Sequence, residues 1–191
     1  MMEIPLFPLN SVLFPGGALP LRIFESRYID MVSRCMKQQS CFGIVMIKSG
    51  KEVADAPEVY DYGTLADIHY FEKLEGGLLG ITARGGQRFH IKNSWVETNQ
   101  LRMAEVELLT HEETLEMSKE YRPWAELVAE ILQQLGPPYS VLPCDYDNAT
   151  WVSHRLAELL PIERELKQLF LQMQDPQQRL ERIIALLSNS R

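Results

Sequence analysis

The side chains that most often carry out chemistry are few and scattered in this chain. Its four histidines are His69, His90, His111 and His154, and no two have the spacing that puts a pair of imidazoles on one metal ion. His111-Glu112-Glu113 lacks the second histidine, four residues on, that a helical zinc site of the His-Glu-x-x-His type requires. His90 falls in a predicted strand and His154 near the start of a predicted helix, so both read as surface or satisfied core histidines. Cys35, Cys41 and Cys144 cannot all pair with one another. Without a secretory leader they read as free thiols of a reducing compartment. Cys35 and Cys41 could meet across a helix-to-strand turn, but no Cys-x-x-Cys motif supports a redox pair. Gly50-Lys51 is preceded by glycine spacing too long for a P-loop, and Glu52 stands where a magnesium-binding Ser or Thr is needed. Gly76-Gly77 and Gly85-Gly86 read as turn glycines. Gly-x-Ser-x-Gly is absent, so there is no nucleophile elbow. No catalytic residue, metal site or cofactor is expected, and the chain reads as a non-enzyme.

What must position any other site is a chain of 191 residues, 46% hydrophobic and 24% charged. That is an ordinary globular composition with room for one large domain or two small ones, and it excludes collagen-like and disordered chains. Nineteen basic against 26 acidic residues give a net charge of −7. Residues 1–112 carry net −3 and residues 113–191 net −4, so neither half is a cationic module. No apolar run approaches the roughly 18 residues of a membrane span. A cytoplasmic protein without membrane contact is expected.

The first 110 residues have strand character. Ile4–Phe7, Leu19–Phe24, Phe42–Ile47, Gly63–Phe71, Leu78–Ala83, Gln87–Val96 and Leu101–Leu109 are short apolar or alternating segments. Prolines 5, 8, 15 and 20 predict edge strands or strands that stop at each proline. Gly85-Gly86 predicts a tight turn between two of the strands. One helix interrupts them, with Tyr28, Met31, Val32 and Cys35 at i, i+3, i+4, i+7 and Ser26 as N-cap. Lys48–Asp61 reads as an exposed, mobile loop. After about His111 the period changes to 3.6. Tyr121, Trp124, Ala125, Val128, Ile131, Leu132 and Leu135 form one stripe, predicted to bury Trp124, and Gly136 ends it. Further stripes start at Val152 and Leu166, and Asp175-Pro176 opens the last helix.

The opening Ile4-Pro5-Leu6-Phe7-Pro8-Leu9-Asn10, then Val12-Leu13-Phe14-Pro15-Gly16-Gly17, then Leu19-Pro20-Leu21-Arg22-Ile23-Phe24-Glu25-x-Arg27-Tyr28 is distinctive. It resembles the N-terminal domain of the ATP-dependent protease Lon. The likeness continues through Phe42-Gly43-Ile44-Val45, Gly63–Ile68, Gly85–Ile91 and Ala104-Glu105-Val106, and into Leu156–Pro161 and Lys167–Leu171, nearly the whole chain. The resemblance implies an α+β fold: a PUA-like β-barrel lobe with one inserted helix over 1–112, then a helical lobe of about four helices over 113–191. It implies a protein-binding module that helps select substrates for proteolysis. The family protease continues into an ATPase and a Ser-Lys peptidase, whereas this chain stops at Arg191, without Walker residues or catalytic dyad.

The expected function is therefore non-catalytic binding of protein or unfolded polypeptide clients, in a substrate-recognition or adaptor role. The alternative is RNA binding through the PUA-like barrel, for which Arg84, Arg88 and Lys92 are the cluster to weigh. Nucleic acid is the less favoured partner because of the charge. Candidate peptide contacts are Phe14, Glu25, Arg27, Tyr139, Leu142 and Tyr146. Phe14-Pro15-Gly16-Gly17 offers either an exposed apolar tip or a sharp turn whose phenylalanine fills the core. Glu25 and Arg27 either clamp a peptide or pair inside the fold. Tyr139, Leu142 and Tyr146 belong to the long segment Gly136–Asn148. It is expected either to border the best pocket where the lobes join or to be a crossover tucked onto the bundle. The client and the oligomeric state are left open.

Overall fold

In a computed structural model, described here for residues 1–52 and 56–188, the fold is α+β. It has one six-stranded mixed sheet and, among the described residues, five α-helices. The chain divides into two compact units, the first Met1–Leu109 and the second from Thr110 onward.

The first unit contains β1 (Met2–Leu9), β2 (Ala18–Ile23), α1 (Ser26–Gln38), β3 (Phe42–Ser49), β4 (Glu58–Lys73), β5 (Leu79–Val96) and β6 (Arg102–Leu108). The strand order is β2-β5-β4-β3-β1-β6, and β5 also pairs with β6. The pairings β1–β3–β4–β5–β6 therefore return to β1, while β2, paired with β5, has no second strand partner among the described residues.

The prolines of β1 do not put that strand at an edge, contrary to expectation. β1 lies between β3 and β6, but its two halves have different neighbours. Met2–Leu6 pairs with β6 and Leu6–Leu9 with β3. Pro5 and Pro8 thus each sit where only one ladder is present, and a proline's missing donor costs nothing on the unpaired side. Gly85-Gly86 forms no turn either, because β5 runs unbroken through both residues. A Cβ on Gly85 would lie 2.1 Å from the Phe14 carbonyl oxygen. Glycine is required there for close backbone approach, not for reversal. The reversal before β5 is made by Gly76 and Gly77, both at positive φ (73° and 81°). Both ends of the expected 48–61 loop are strand. β3 runs to Ser49, β4 starts at Glu58, and the Glu58 carboxylate accepts from Lys48 Nζ (3.0 Å) and Ser49 Oγ (2.8 Å). Residues 53–55 of that segment lie outside the described residues.

Two apolar clusters fill this unit. Tyr28, Met31, Val32 and Cys35 of α1 pack with Phe7, Phe42, Ile44, Ile81 and Ala83. Ile4, Leu6, Val45, Phe89, Ala104 and Val106 form the second. Successive residues of β1 and β3 enter different clusters, as the two-residue period of a strand buried on both faces demands. Helix α1 starts from Glu25, which makes no side-chain cap bond; Ser26 is the first helical residue, not the cap.

The second unit contains α2 (Arg122–Leu135), α3 (Ala149–Leu159), α4 (Arg164–Gln172) and α5 (Pro176–Ser188). Their boundaries follow the sequence signals. Pro123 lies in the first turn of α2, and Gly136 ends it at φ 66°. The Asn148 side chain accepts from the N–H groups of Thr150 and Trp151 at the start of α3. Asp175 Oδ1 accepts from Gln178 N (3.0 Å) ahead of α5. Ala125, Val128 and Leu132 are the buried face of α2. Trp124, expected in the core, is only half-buried. No helix among the described residues is long and apolar enough to cross a membrane.

Candidate functional site

The most distinctive part of the sequence builds a tightly bonded corner of the first unit. Gly16 N donates to Gly85 O (2.8 Å), Gly85 N to Gly17 O (2.9 Å), and Thr64 Oγ1 to Leu13 O (2.6 Å). These bonds pin the 13–17 turn onto β4 and β5 and drive Phe14 inward, where it has no exposed surface. The exposed apolar tip considered for Phe14 is absent, because the ring points into the unit. Arg27 is also turned inward. Its Nη2 donates to Glu25 Oε2 (2.8 Å), its Nη1 to the Gln100 carbonyl (2.9 Å), and its guanidinium lies 4.8 Å from the Tyr28 ring centroid. Burial, opposed by the Arg27 charge, pushes the Tyr28 phenol up to about 12. Glu25 and Arg27 thus pair with each other within the fold, although Glu25 also lines a small cavity of about 180 Å³ beside Phe24, Tyr28 and Glu52.

In the second unit the Gly136–Asn148 segment packs against α2 through residues 139–141 and reaches α3 through Tyr146. The Tyr146 ring meets Trp151 edge-on with centroids 5.3 Å apart, and Leu142 is buried. Burial raises the Tyr139 phenol, and the nearby Glu158 carboxylate adds to the rise. All three nominated side chains therefore pack inward or along the helix, and Val141, 66% exposed, faces outward with Pro137 and Pro143. The segment contributes nothing to the lining of the cavities described in this unit.

Two arrangements had no counterpart in the sequence reading. One is a buried polar network. Arg179, with no exposed side-chain surface, forks onto Glu112 through Nη1–Oε1 (2.8 Å) and Nη2–Oε2 (2.6 Å). It also donates to Ser153 Oγ (3.0 Å) and the Met173 carbonyl (3.1 Å), and His154 Nε2 lies 3.3 Å from Glu112 Oε2. With four of its five N–H donors held on acceptors inside the fold, this guanidinium is a structural clamp. Beside it Arg155 Nε lies 3.2 Å from Glu158 Oε2, and Lys167 Nζ donates to the Glu158 carbonyl (2.6 Å). Burial raises the Glu158 carboxyl and lowers the Lys167 ammonium.

The other is an open, apolar cavity of about 490 Å³ between α4 and α5. One sequence signal could have revealed it. Ile183–Leu187 is five consecutive apolar residues, wider than the single stripe a packed helix needs.

The fold leaves part of the cluster weighed for RNA binding at the surface. Arg88 is buried, and Lys92 Nζ is paired with Glu107 Oε2 at 2.5 Å. Among the described residues no group of three His, Cys, Asp or Glu side chains is placed to hold a metal ion, and the three cysteines are free thiols.

Comparison with known proteins gives this architecture a family. The profile described as the ATP-dependent protease La (LON) substrate-binding domain matches residues 3–189. A crystal structure of a Lon N-terminal domain protein from Xanthomonas campestris is 35% identical, with a TM-score of 0.79 over 97% of this chain and 98% of that one. The N-terminal domain of Mycobacterium avium complex Lon protease shares the fold at 14% identity and a TM-score of 0.62, with 98% of each chain covered. Lon protease 2 of Herpetosiphon aurantiacus is 26% identical over 98% of this chain, which covers 24% of that protein. Lon protease 2 of Myxococcus xanthus gives the same figures. The chain thus spans about a quarter of the length of these curated relatives. With a profile matched almost from end to end and a solved relative superposable over nearly its full length, the chain belongs to the Lon substrate-binding domain family.

Proposed function

We propose that this chain binds polypeptide substrates for proteolysis and performs no chemistry on them itself. The observation that carries the reading is the family match over residues 3–189. The surface supports it. The charged side chains nominated for a role, Arg27 and Glu25, are engaged with each other, and Arg179 is engaged inside the helical unit. Large apolar and aromatic side chains stand in solvent beside the charged ones: Phe24, Tyr70 and Phe71 in the first unit, Val141 and Leu169 in the second. Exposed apolar surface of this kind is what an unfolded client recognises and what a folded one, with its own apolar groups buried, does not. The closed circuit of strand pairings is the form a PUA-like barrel would take, and the adaptor role is the form this binding would take beside a separate protease. The RNA reading has no comparable support, since a positive stripe is the footprint it needs.

Immobilised chain should retain a reduced, carboxymethylated model protein and release the same protein in its native, disulfide-bonded form. Equal retention of both forms at micromolar concentration, or of neither, refutes the reading.

A further inference from the structure

The groove between α4 and α5 is apolar along both walls. Leu169, Phe170 and Met173 face Ala185 and Leu186. Phe170 is buried and forms a floor, whereas Leu169 (55% exposed) and Leu186 (37%) stand on the rim. At about 490 Å³ the space falls within the roughly 300–1,000 Å³ of ligand pockets. Arg182 is the one charged residue lining it. Elsewhere in this unit Arg122, Arg155 and Arg179 each lie against a carboxylate; among the described residues Arg182 has none. Its neighbour Glu181 is held by Gln177 Nε2 at 2.9 Å. In a chain of net charge −7, this places a guanidinium at the edge of an apolar trough with no carboxylate among the lining residues.

The geometry points to one occupant: a short segment of unfolded polypeptide in which a side-chain carboxylate lies next to large aliphatic or aromatic residues. This rests on the substrate-binding reading above and adds where on the helical unit the segment docks and what it must carry. The apolar side chains enter the trough over Phe170, and the carboxylate meets Arg182 at the rim. A lysine- or arginine-flanked segment brings like charge to that point and is rejected, which is how a rim charge contributes more to selectivity than to affinity. A second copy of the chain fits worse. A two-fold contact through this patch sets it against itself, with two unpaired Arg182 side chains brought together.

The test uses two labelled, unstructured peptides with the same leucine and phenylalanine content, one carrying glutamates and the other lysines at the intervening positions. Binding is read by fluorescence anisotropy. The full chain should prefer the glutamate peptide. Leu169→Ser with Leu186→Ser, both on the exposed rim, should weaken its binding about tenfold, with circular dichroism and melting temperature unchanged. Arg182→Glu should weaken the glutamate peptide about threefold and strengthen the lysine peptide. Equal binding of both peptides by the unaltered chain, or unchanged binding by the folded double variant, overturns the assignment. So does a concentration-dependent dimer that the double variant abolishes, since a second copy then fills the groove. Retention of carboxymethylated protein separates the two levels. If the double variant still retains it as the unaltered chain does, substrate binding stands and the groove is wrong; if the unaltered chain retains none, both fall.

Discussion

The two units bury very different material. In the first, the interior is apolar nearly throughout, with Thr64, Thr82, Arg27 and Arg88 as its buried polar side chains among the described residues. In the smaller second unit, Thr150, Ser153, His154, Arg155, Gln168 and Arg179 are all buried, and the Glu112 side chain is inside with them. The difference follows from how each kind of element is positioned. Sheet strands are aligned by a ladder of directional backbone bonds, and a register slip would turn every core side chain outward. Apolar side chains are then enough to fill the space. Helices satisfy their own backbones and leave nothing directional for their neighbours. Helices of 9 to 14 residues can slide or rotate against each other at small cost unless side chains forbid it. Arg179, reaching Glu112, Ser153 and Met173 from α5, supplies that direction. Such a network need not add stability compared with an apolar core, but it is costly to break halfway.

The sharpest way to break the comparison is at that clamp. Arg179→Met leaves Glu112 buried without its cation and should cost about 3–5 kcal/mol in chemical denaturation. The loss should be read by the tryptophans of the helical unit, Trp124 and Trp151, before Trp95 of the sheet. The paired change Glu112→Leu with Arg179→Met should cost less than Arg179→Met alone. If it costs more, the network is a net source of stability and the contrast between the units is overstated.

In the sheet the vulnerable points are places of backbone approach. Gly85→Ala puts a methyl 2.1 Å from the Phe14 carbonyl oxygen, which is backbone and cannot swing aside. The expected loss is about 1–3 kcal/mol, measured as a lower denaturation midpoint. A neutral outcome would mean that the 13–17 turn moves freely away from β5. Trp124→Ala should cost about 1–2 kcal/mol, because the indole is half-buried; a loss of about 3–5 kcal/mol would place it in the core after all.

The smallest effect is titration of Tyr28. Its phenol should ionise near pH 12 in an ultraviolet difference titration, not near the ordinary 10.0. Because the folded value is raised, Tyr28 contributes stability that is fully present below the ordinary tyrosine value and is lost as pH rises towards about 12. Tyr28→Phe should flatten that alkaline slope, and an unchanged slope would assign it to other groups.

Local signals were legible wherever a residue acts on its own neighbours in the chain. Asp175-Pro176 and Gly136 mark helix ends, and Gly76-Gly77 marks a reversal, because capping and positive φ are decided within a few residues. Gly85-Gly86 looked the same and meant something else. A glycine needed for a close approach by residues 14–17 cannot be told from a turn glycine without the partner segment. Pro5 and Pro8 misled for the same reason, since an edge is a property of neighbours, not of the strand. Of the site candidates, Phe14 reads from its sequence context either as an exposed tip or as a core residue behind a sharp turn, and its burial depends on Thr64 and Gly85, about 50 and 70 residues away. The α4–α5 groove left only the faint mark of an over-wide apolar run.

The sequence by itself determined the division into a strand-rich first part and a helical second part, that no catalytic or metal-binding motif is present, and, through the proline-rich opening, the family. Those properties rest on period, local chemistry and residue order, all of which are written along the chain. Only the tertiary structure decided which charged side chains remain available. Arg27, Arg88 and Arg179 are drawn into internal partnerships or burial, Lys92 pairs with Glu107 at the surface, and Arg182 is left beside an apolar groove. Availability depends on distances between residues remote in sequence, and those distances exist only once the strands and helices have packed.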